Sequence, residues 1–222
     1  TLLDMRLLQS KKVNALNLKI LRNSHNSGYF PGLNLGMRAT SGDFVIVCNN
    51  DLLFNNDFCQ QLVGLSFNKS IFAIAPNVIT KDGYRQNPHV LRRMNFLQKL
   101  KLDIYFSNYW IARFLSWMLI SIGHKRRNLS RRVDGCEIHM GIGACYILTE
   151  NFLNNFNQLH YPNFLYGEEA YFSNQIHSAG GVLWYEPKLK LMHMESLSTT
   201  KLPKRAAYEY AKSGYPQYRN FL

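Results

Sequence analysis

Phe44-Val45-Ile46-Val47-Cys48 is an unbroken apolar run between Gly42-Asp43 and Asn49-Asn50-Asp51. A short run of this kind, bounded by turn residues, reads as a strand buried on both faces, as in a parallel sheet. Ile71–Ala75, Tyr146–Leu148, Val182–Tyr185 and Leu189–Met192 carry the same pattern, and Leu18, Ile20 and Leu21 suggest a short strand. Helical spacing is expected over 2–16, where five Leu mix with Arg6, Lys11 and Lys12, and over 57–66. A further helix is expected over Glu168–Ala179, stopped by Gly180-Gly181. Asn23–Gly36 is rich in Asn and Gly and reads as a loop, with a helix starting over Gly36–Thr40. Strands alternating with helices predict an α/β domain, and 222 residues suit a single one.

One stretch departs from this rhythm. Residues 104–122 are apolar and aromatic, with Trp110, Phe114, Trp117 and Met118 at helical spacing and Arg113 in the middle. The cluster Lys125–Arg132 follows at once. The chain carries a net charge of +12, and residues 88–132 supply +9 of it from ten basic residues against Asp103. This basic, aromatic segment, 88–132, reads as a helical insertion, and a localised basic block calls for an anionic partner. A Trp-bearing apolar face joined to a basic flank suits a helix lying on an anionic membrane surface, here over 104–132. An amphipathic helix packed on the core with a solvated basic loop is the plainer reading. No recognisable DNA or RNA module surrounds the block, so nucleic acid is not an expected partner.

Composition excludes wholesale disorder, with 46% hydrophobic and 18% charged residues. No uncharged apolar run reaches the length of a membrane span, and no signal-peptide core stands near residue 1. Cys48, Cys59, Cys136 and Cys145 form no paired or zinc-like motif and read as buried free thiols in a reducing compartment.

Three places carry candidate chemistry. Asp51 follows a buried strand, where ligands of open α/β sheets sit, and its carboxylate suits a divalent cation. Asn49, two residues earlier, points the same way on an extended backbone. The same Asn-Asn-Asp is also good turn chemistry. Glu168-Glu169 opens a helix, where the dipole favours acids; among Phe164, Leu165 and Tyr166, adjacent carboxylates also suit a general base. His193 ends an apolar strand run, as a core histidine or as a metal ligand alongside Asp51.

The ordered text of these pieces resembles the family-2 glycosyltransferases of GT-A fold, in particular the bacterial rhamnosyltransferase-like branch that builds O-antigen and capsule. Asn26-Ser27-Gly28, then Gly32-x-Asn34-x-Gly36, then Ala39-x-Ser41-Gly42-Asp43 resembles that family's N-x-G, G-x-N-x-G and A-x-G-D/E stretch. Asn49-Asn50-Asp51 resembles its D-x-D variant, and Phe164-Leu165-Tyr166-Gly167-Glu168-Glu169 its F-x-Y-G-E-D/E motif. Gly180, Tyr185-x-Pro187 and His193-x-Glu195-x-x-Ser198-Thr199 resemble its closing strands.

The resemblance implies a GT-A-like, Rossmann-like, mixed and mainly parallel sheet flanked by helices, with residues 1–222 as one catalytic domain. It implies inverting transfer from a nucleotide-diphosphate sugar to a lipid-linked saccharide acceptor, at the cytoplasmic face of the inner membrane. Asp51 and His193 would hold Mg2+ or Mn2+, Glu169 would act as base and Glu168 would support it. Asn26, Gly28, Gly32, Asn34, Gly36, Asn49, Gly143 and Ala144 would shape the donor side. Glu169 stands where many members carry Asp. The family's opening strands take roughly 60 residues ahead of residue 18, on an ordinary βαβ count. Only seventeen stand there, so the chain is expected to be N-terminally truncated. The alternative is a non-catalytic GT-A remnant or a membrane- or partner-binding module. A nucleotidyltransferase would want a Gly-rich phosphate loop near the start, which is not found.

Overall fold

A computed structural model describes residues 19–121, 134–194 and 204–222. The opening apolar run is strand β1 (Phe44–Cys48). Its alternate side chains enter two different core clusters: Val45 and Val47 on one face, Phe44, Ile46 and Cys48 on the other. The remaining strands are β2 (Leu52–Phe54), β3 (Ile71–Thr80), β4 (Cys136–Ile138), β5 (Cys145–Thr149) and β6 (Val182–His193). They form one six-stranded sheet in the order β1-β5-β3-β6-β2, with β4 also on β6.

The mixed α/β sheet is as expected, but its direction is not mainly parallel. Among the described strands only β3 and β6 run parallel; β1–β5, β3–β5, β2–β6 and β4–β6 are antiparallel. Burial on both faces produces the same unbroken apolar runs whatever the strand direction, so the run alone does not report it. Val182–Tyr185 and Leu189–Met192 belong to one strand, interrupted by a register shift opposite Pro76/Asn77. There Glu186 pairs with Pro76 and Lys190 with Asn77, an odd slip that swaps the strand's faces. Leu183 and Tyr185 pack in one cluster, Leu189 and Leu191 in the other. His193 shares the second face by alternation.

Helices cover both faces. On one lie α1 (Tyr29–Met37), α5 (Glu150–Asn155) and α6 (Glu168–Ser178), which contribute Phe30, Met37, Phe152, Phe172 and Ile176 to the core. On the other lies α2 (Phe58–Val63), through Phe58 and Leu62. Helix α1 replaces the second part of the expected loop over Asn23–Gly36, from Tyr29 on, and ends at Met37, where a helix is expected to start. Its buried side, Phe30, Asn34 and Met37, follows helical spacing and outweighs the poor propensity of two glycines. Ile20 and Leu21 are exposed and form no strand, while Leu18 and 2–16 fall outside the described residues. The four cysteines are free, Cys145 buried but Cys59 exposed.

The stretch read as one helix is two. Helix α3 (Phe96–Ser107) starts with a capping box between Asn95 and Gln98. Asn108 breaks the run, and its side chain accepts from Trp110 N as α4 (Tyr109–Ser121) begins. Residues 122–132, with the basic cluster, fall outside the described residues. Helix α7 (Lys204–Tyr218) and a 3-10 turn, Arg219–Phe221, fold back over α3 and α6. Tyr215, Tyr218 and Leu222 bury there with Met140 and Ala170. Arg219 grips Asp103 through two 2.6 Å hydrogen bonds, and Tyr215 donates to the same carboxylate.

Candidate active site

Sheet register assembles the first half of the site. Asp51 directly precedes β2, whose Leu52 pairs with His193, and Met194 N donates to Asp51 O at 2.8 Å. The His193 Nε2 and Asp51 Oδ1 atoms consequently stand 3.4 Å apart, both side chains 13% exposed. The far ring nitrogen, Nδ1, is 2.8 Å from Gln86 Oε1. Asn49, half-buried, donates its backbone N–H to Ala144 O at 2.9 Å, which ties the end of β1 to the loop before β5.

That loop carries the second half. Gly143 N donates to Glu169 Oε1 at 3.2 Å, and Tyr29, at the start of α1, donates its hydroxyl to Gly143 O at 2.6 Å. Asn87 is fully buried; its Nδ2 donates to Pro76 O and its Oδ1 accepts from Ile142 N, both at 2.8 Å. The loop is therefore braced from β1, from α1 and from the segment after β3.

The two glutamates differ. Glu169 is half-buried and faces the Gly143 loop. Glu168 is buried, and its Oε1 has no hydrogen-bond partner. Burial first, and then the charge of Glu169, push the Glu168 carboxyl up to about 7, while backbone hydrogen bonds at Glu168 and Tyr166 pull the other way. Burial and the same two carboxylates also push Tyr218 up to about 12. The Tyr218 ring lies on Gly167, which has a φ of 106° and leads into α6. A Cβ there would come within 2.3 Å of the ring, so the glycine before the acidic pair admits the C-terminal helix.

Other predicted donor residues have different work. The Asn34 side chain brackets Leu159, donating to its O at 2.9 Å and accepting from its N at 2.7 Å, so it is a structural brace. A cleft of about 490 Å³ beside it, lined by Arg38, Gln158 and Tyr171, contains neither acid. Asn26 is exposed and accepts from Gly28 N at 3.3 Å within its own turn. Gly28, at φ 108°, lets the chain approach the Phe164 carbonyl, where a Cβ would be 2.7 Å away. Gly32 and Gly36 are exposed on α1 with open space where a side chain would stand. Tyr29, Gln86, Asn87 and Tyr218 escaped the sequence reading. Only Tyr218 had a signal, the helical spacing of Tyr208, Tyr215, Tyr218 and Leu222.

Among the described residues no group of three or more His, Cys, Asp and Glu could hold a metal. Asp51 and His193 nevertheless fit a divalent ion that shares its shell with a diphosphate. Such ions take one or two protein ligands plus phosphate oxygens, at about 2.1 Å each, which sets neighbouring ligands roughly 3 Å apart.

Residues 7–145 match the profile of glycosyl transferase family 2, a stretch that holds Asp51 and Gly143 and ends before the acidic pair. No curated protein matches the sequence. Among solved structures, the crystal structure of GalNAc-T7 with UDP, GalNAc and Mn2+ is similar, with a TM-score of 0.56 and 17% identity. The alignment covers 88% of this chain and 36% of that one, so this chain spans little more than a third of that neighbour's length. At that identity the likeness is one of fold.

Proposed function

The chain belongs to glycosyl transferase family 2 and has a GT-A-like fold, and from that premise we propose that it transfers a sugar, with inversion, from a nucleotide-diphosphate sugar to an acceptor hydroxyl. The observation that carries this reading is the seam of hydrogen bonds joining the Asp51–His193 pair to the acidic pair of α6. Asp51 and His193 stand on strand ends, Glu169 on α6, and the Asn49–Ala144 and Gly143–Glu169 bonds connect them.

On this reading Asp51 and His193 hold Mg2+ or Mn2+ on the donor diphosphate. The ion, when bound, supplies positive charge against the negative charge developing on the leaving nucleotide. Glu169 takes the proton of the acceptor hydroxyl. The oxygen's electron pair forms the new bond to the anomeric carbon, and the bond to the diphosphate oxygen breaks with its pair leaving on the nucleotide. Glu169 suits the base because it is half-buried and held at the Gly143 loop, whereas Glu168 is enclosed and cannot reach an acceptor. A Glu168 carboxyl raised to about 7 carries less than a full charge beside Glu169.

The acceptor is a lipid-linked saccharide in this reading, within the cell-surface polysaccharide branch that the sequence resembles. The support is an exposed apolar stripe on α3 and α4: Leu97, Leu100 and Ile104, then Trp110, Phe114 and Trp117. The Arg113 guanidinium lies 5.9 Å from the Trp110 ring centre. With the basic sequence that follows, this face suits an anionic lipid surface at the cytoplasmic side of the inner membrane. No described helix is long and apolar enough to cross a membrane.

The test is a thermal-shift panel of nucleotides and nucleotide sugars, with and without Mn2+, on the wild type and Asp51→Ala. A ligand at about 100 times its Kd stabilises by about 2.7 kcal/mol. A Mn2+-dependent shift, lost in Asp51→Ala, is expected, followed by transfer that Glu169→Gln abolishes. No shift with any nucleotide, or near wild-type transfer by Glu169→Gln, overturns the reading in favour of a non-catalytic module.

A further inference from the structure

The hydrogen bond on the far side of His193 decides what that ring can do. Gln86 Oε1 is an amide oxygen, which accepts and cannot donate. At 2.8 Å it fixes the proton of the neutral imidazole on Nδ1. The lone pair is then left on Nε2, the atom that faces Asp51 Oδ1 at 3.4 Å. A lone pair facing a carboxylate is an arrangement that a cation resolves. The other tautomer would put an N–H on Nε2, and its bond to the Asp51 carboxylate would then be near 2.8 Å, shorter than the separation seen.

Gln86 is itself held in place. Its backbone N donates to Val78 O, and Thr80 N to Tyr84 O, both at 2.8 Å, closing a hairpin beyond β3 through Gly83 at φ 81°. The next residue, Asn87, is pinned to Pro76 and Ile142. His193 sits between the ends of two strands, opposite Thr80 and Leu52. The hairpin therefore delivers an acceptor to the one ring nitrogen that does not face Asp51.

We propose that Gln86 is a positioning residue that locks His193 as the Nδ1–H tautomer and aims its Nε2, together with Asp51, at a divalent cation. This rests on the reading of Asp51 and His193 as the metal pair. Gln86 touches neither metal nor substrate in this role; it sets the ring angle and the basicity of the ligand nitrogen, as outer partners of metal-bound histidines do.

The experiment uses Mn2+ alone, titrated by the paramagnetic signal of the free ion, on wild type, Gln86→Leu, Gln86→Glu, Asp51→Ala and His193→Ala. Nitrogen NMR of the metal-free protein reads the His193 tautomer, its signal identified by loss in His193→Ala. Gln86→Leu should weaken Mn2+ about 10- to 100-fold and release the ring to a mixture of tautomers. Gln86→Glu, which keeps an acceptor oxygen, should bind like the wild type or tighter and keep Nδ1–H. Should Gln86→Leu fail to fold, Gln86→Asn, with its acceptor withdrawn by one methylene, is read the same way. Wild-type Mn2+ affinity and an unchanged tautomer in the acceptor-less variant overturn the role of Gln86. Unchanged Mn2+ binding in both Asp51→Ala and His193→Ala overturns the metal pair beneath it, and the two failures are told apart by which variants retain the ion.

Discussion

Gly143 holds Glu169 with its backbone amide, and any side chain at that position would crowd the carboxylate it holds. The amide donates to Oε1 at 3.2 Å, and a Cβ on Gly143 would stand 2.9 Å from that same oxygen. Gly143→Ala must therefore push the carboxylate aside. We expect kcat to fall by about 100-fold, the scale of lost general-base catalysis, with little change in Tm. Tyr29→Phe, which removes the 2.6 Å bond to the Gly143 carbonyl, should give a smaller loss in the same direction. Transfer kinetics beside a thermal melt separate displacement of the proposed base from unfolding.

Glu168 makes stability depend on pH. Its carboxyl is raised from 4.5 to about 7, so between those values the folded state keeps a proton that the unfolded chain has lost. The folded state is favoured below the lower value, and that advantage disappears as pH rises through about 7. Glu168→Gln, neutral throughout, should flatten this slope and be the more stable protein at about pH 8 by ~3 kcal/mol. Urea unfolding at about pH 5 and about pH 8 measures it. An equal slope in both proteins would mean that Glu168 is not held neutral.

The contact between Gly167 and Tyr218 should appear as strong coupling. Gly167→Ala adds a methyl where the ring already stands, at a φ that disfavours any side chain. Tyr218→Ala alone opens a cavity. Together they relieve part of each other's cost, and the double variant should be more stable than the sum predicts by about 1–3 kcal/mol. Strict additivity in a denaturant double-mutant cycle would show that the ring does not rest on the glycine.

The membrane reading isolates two exposed side chains. Trp110 and Trp117 are 63% and 62% exposed, so replacing both with Ser should leave Tm unchanged. Sedimentation with phosphatidylserine vesicles at low salt should fall several-fold. The remaining, charge-driven part should disappear at high salt. Equal sedimentation of wild type and the double variant would return this face to the plainer reading of the segment.

Legibility followed locality. Strand β1 and the acidic pair opening α6 could be read directly, because burial periodicity and helix-start chemistry are written in adjacent residues. The 104–122 helix was visible, but not its break at Asn108, where one side chain re-caps the chain. Helix α1 was hidden by its glycines, although Phe30, Asn34 and Met37 carried its buried stripe. Strand direction was hidden because a doubly buried strand reads alike either way. Gln86 and Asn87 had no signal at all. A polar pair in a turn is common, and the contacts of these two with His193 and Ile142 are made by tertiary pairing. Asn34 shows the reverse case, a motif residue whose side-chain amide is bonded to the Leu159 backbone.

The sheet register also sets the order in which the protein can become active. Strand β1 must find β5, and β2 must find the far end of β6, across most of the described chain. Closing such long loops costs entropy before any contact repays it, and folds built on distant pairings form slowly. A growing chain that has already finished β1 and β2 holds Asp51 without His193, and the two meet only when the end of β6 zips against β2. On the proposed reading, the half of the site assigned to the metal is thus completed only after the Gly143 loop and Glu169 have been made. Variants that slow β6 should lower the fraction of molecules that work, and leave the turnover of each working molecule intact.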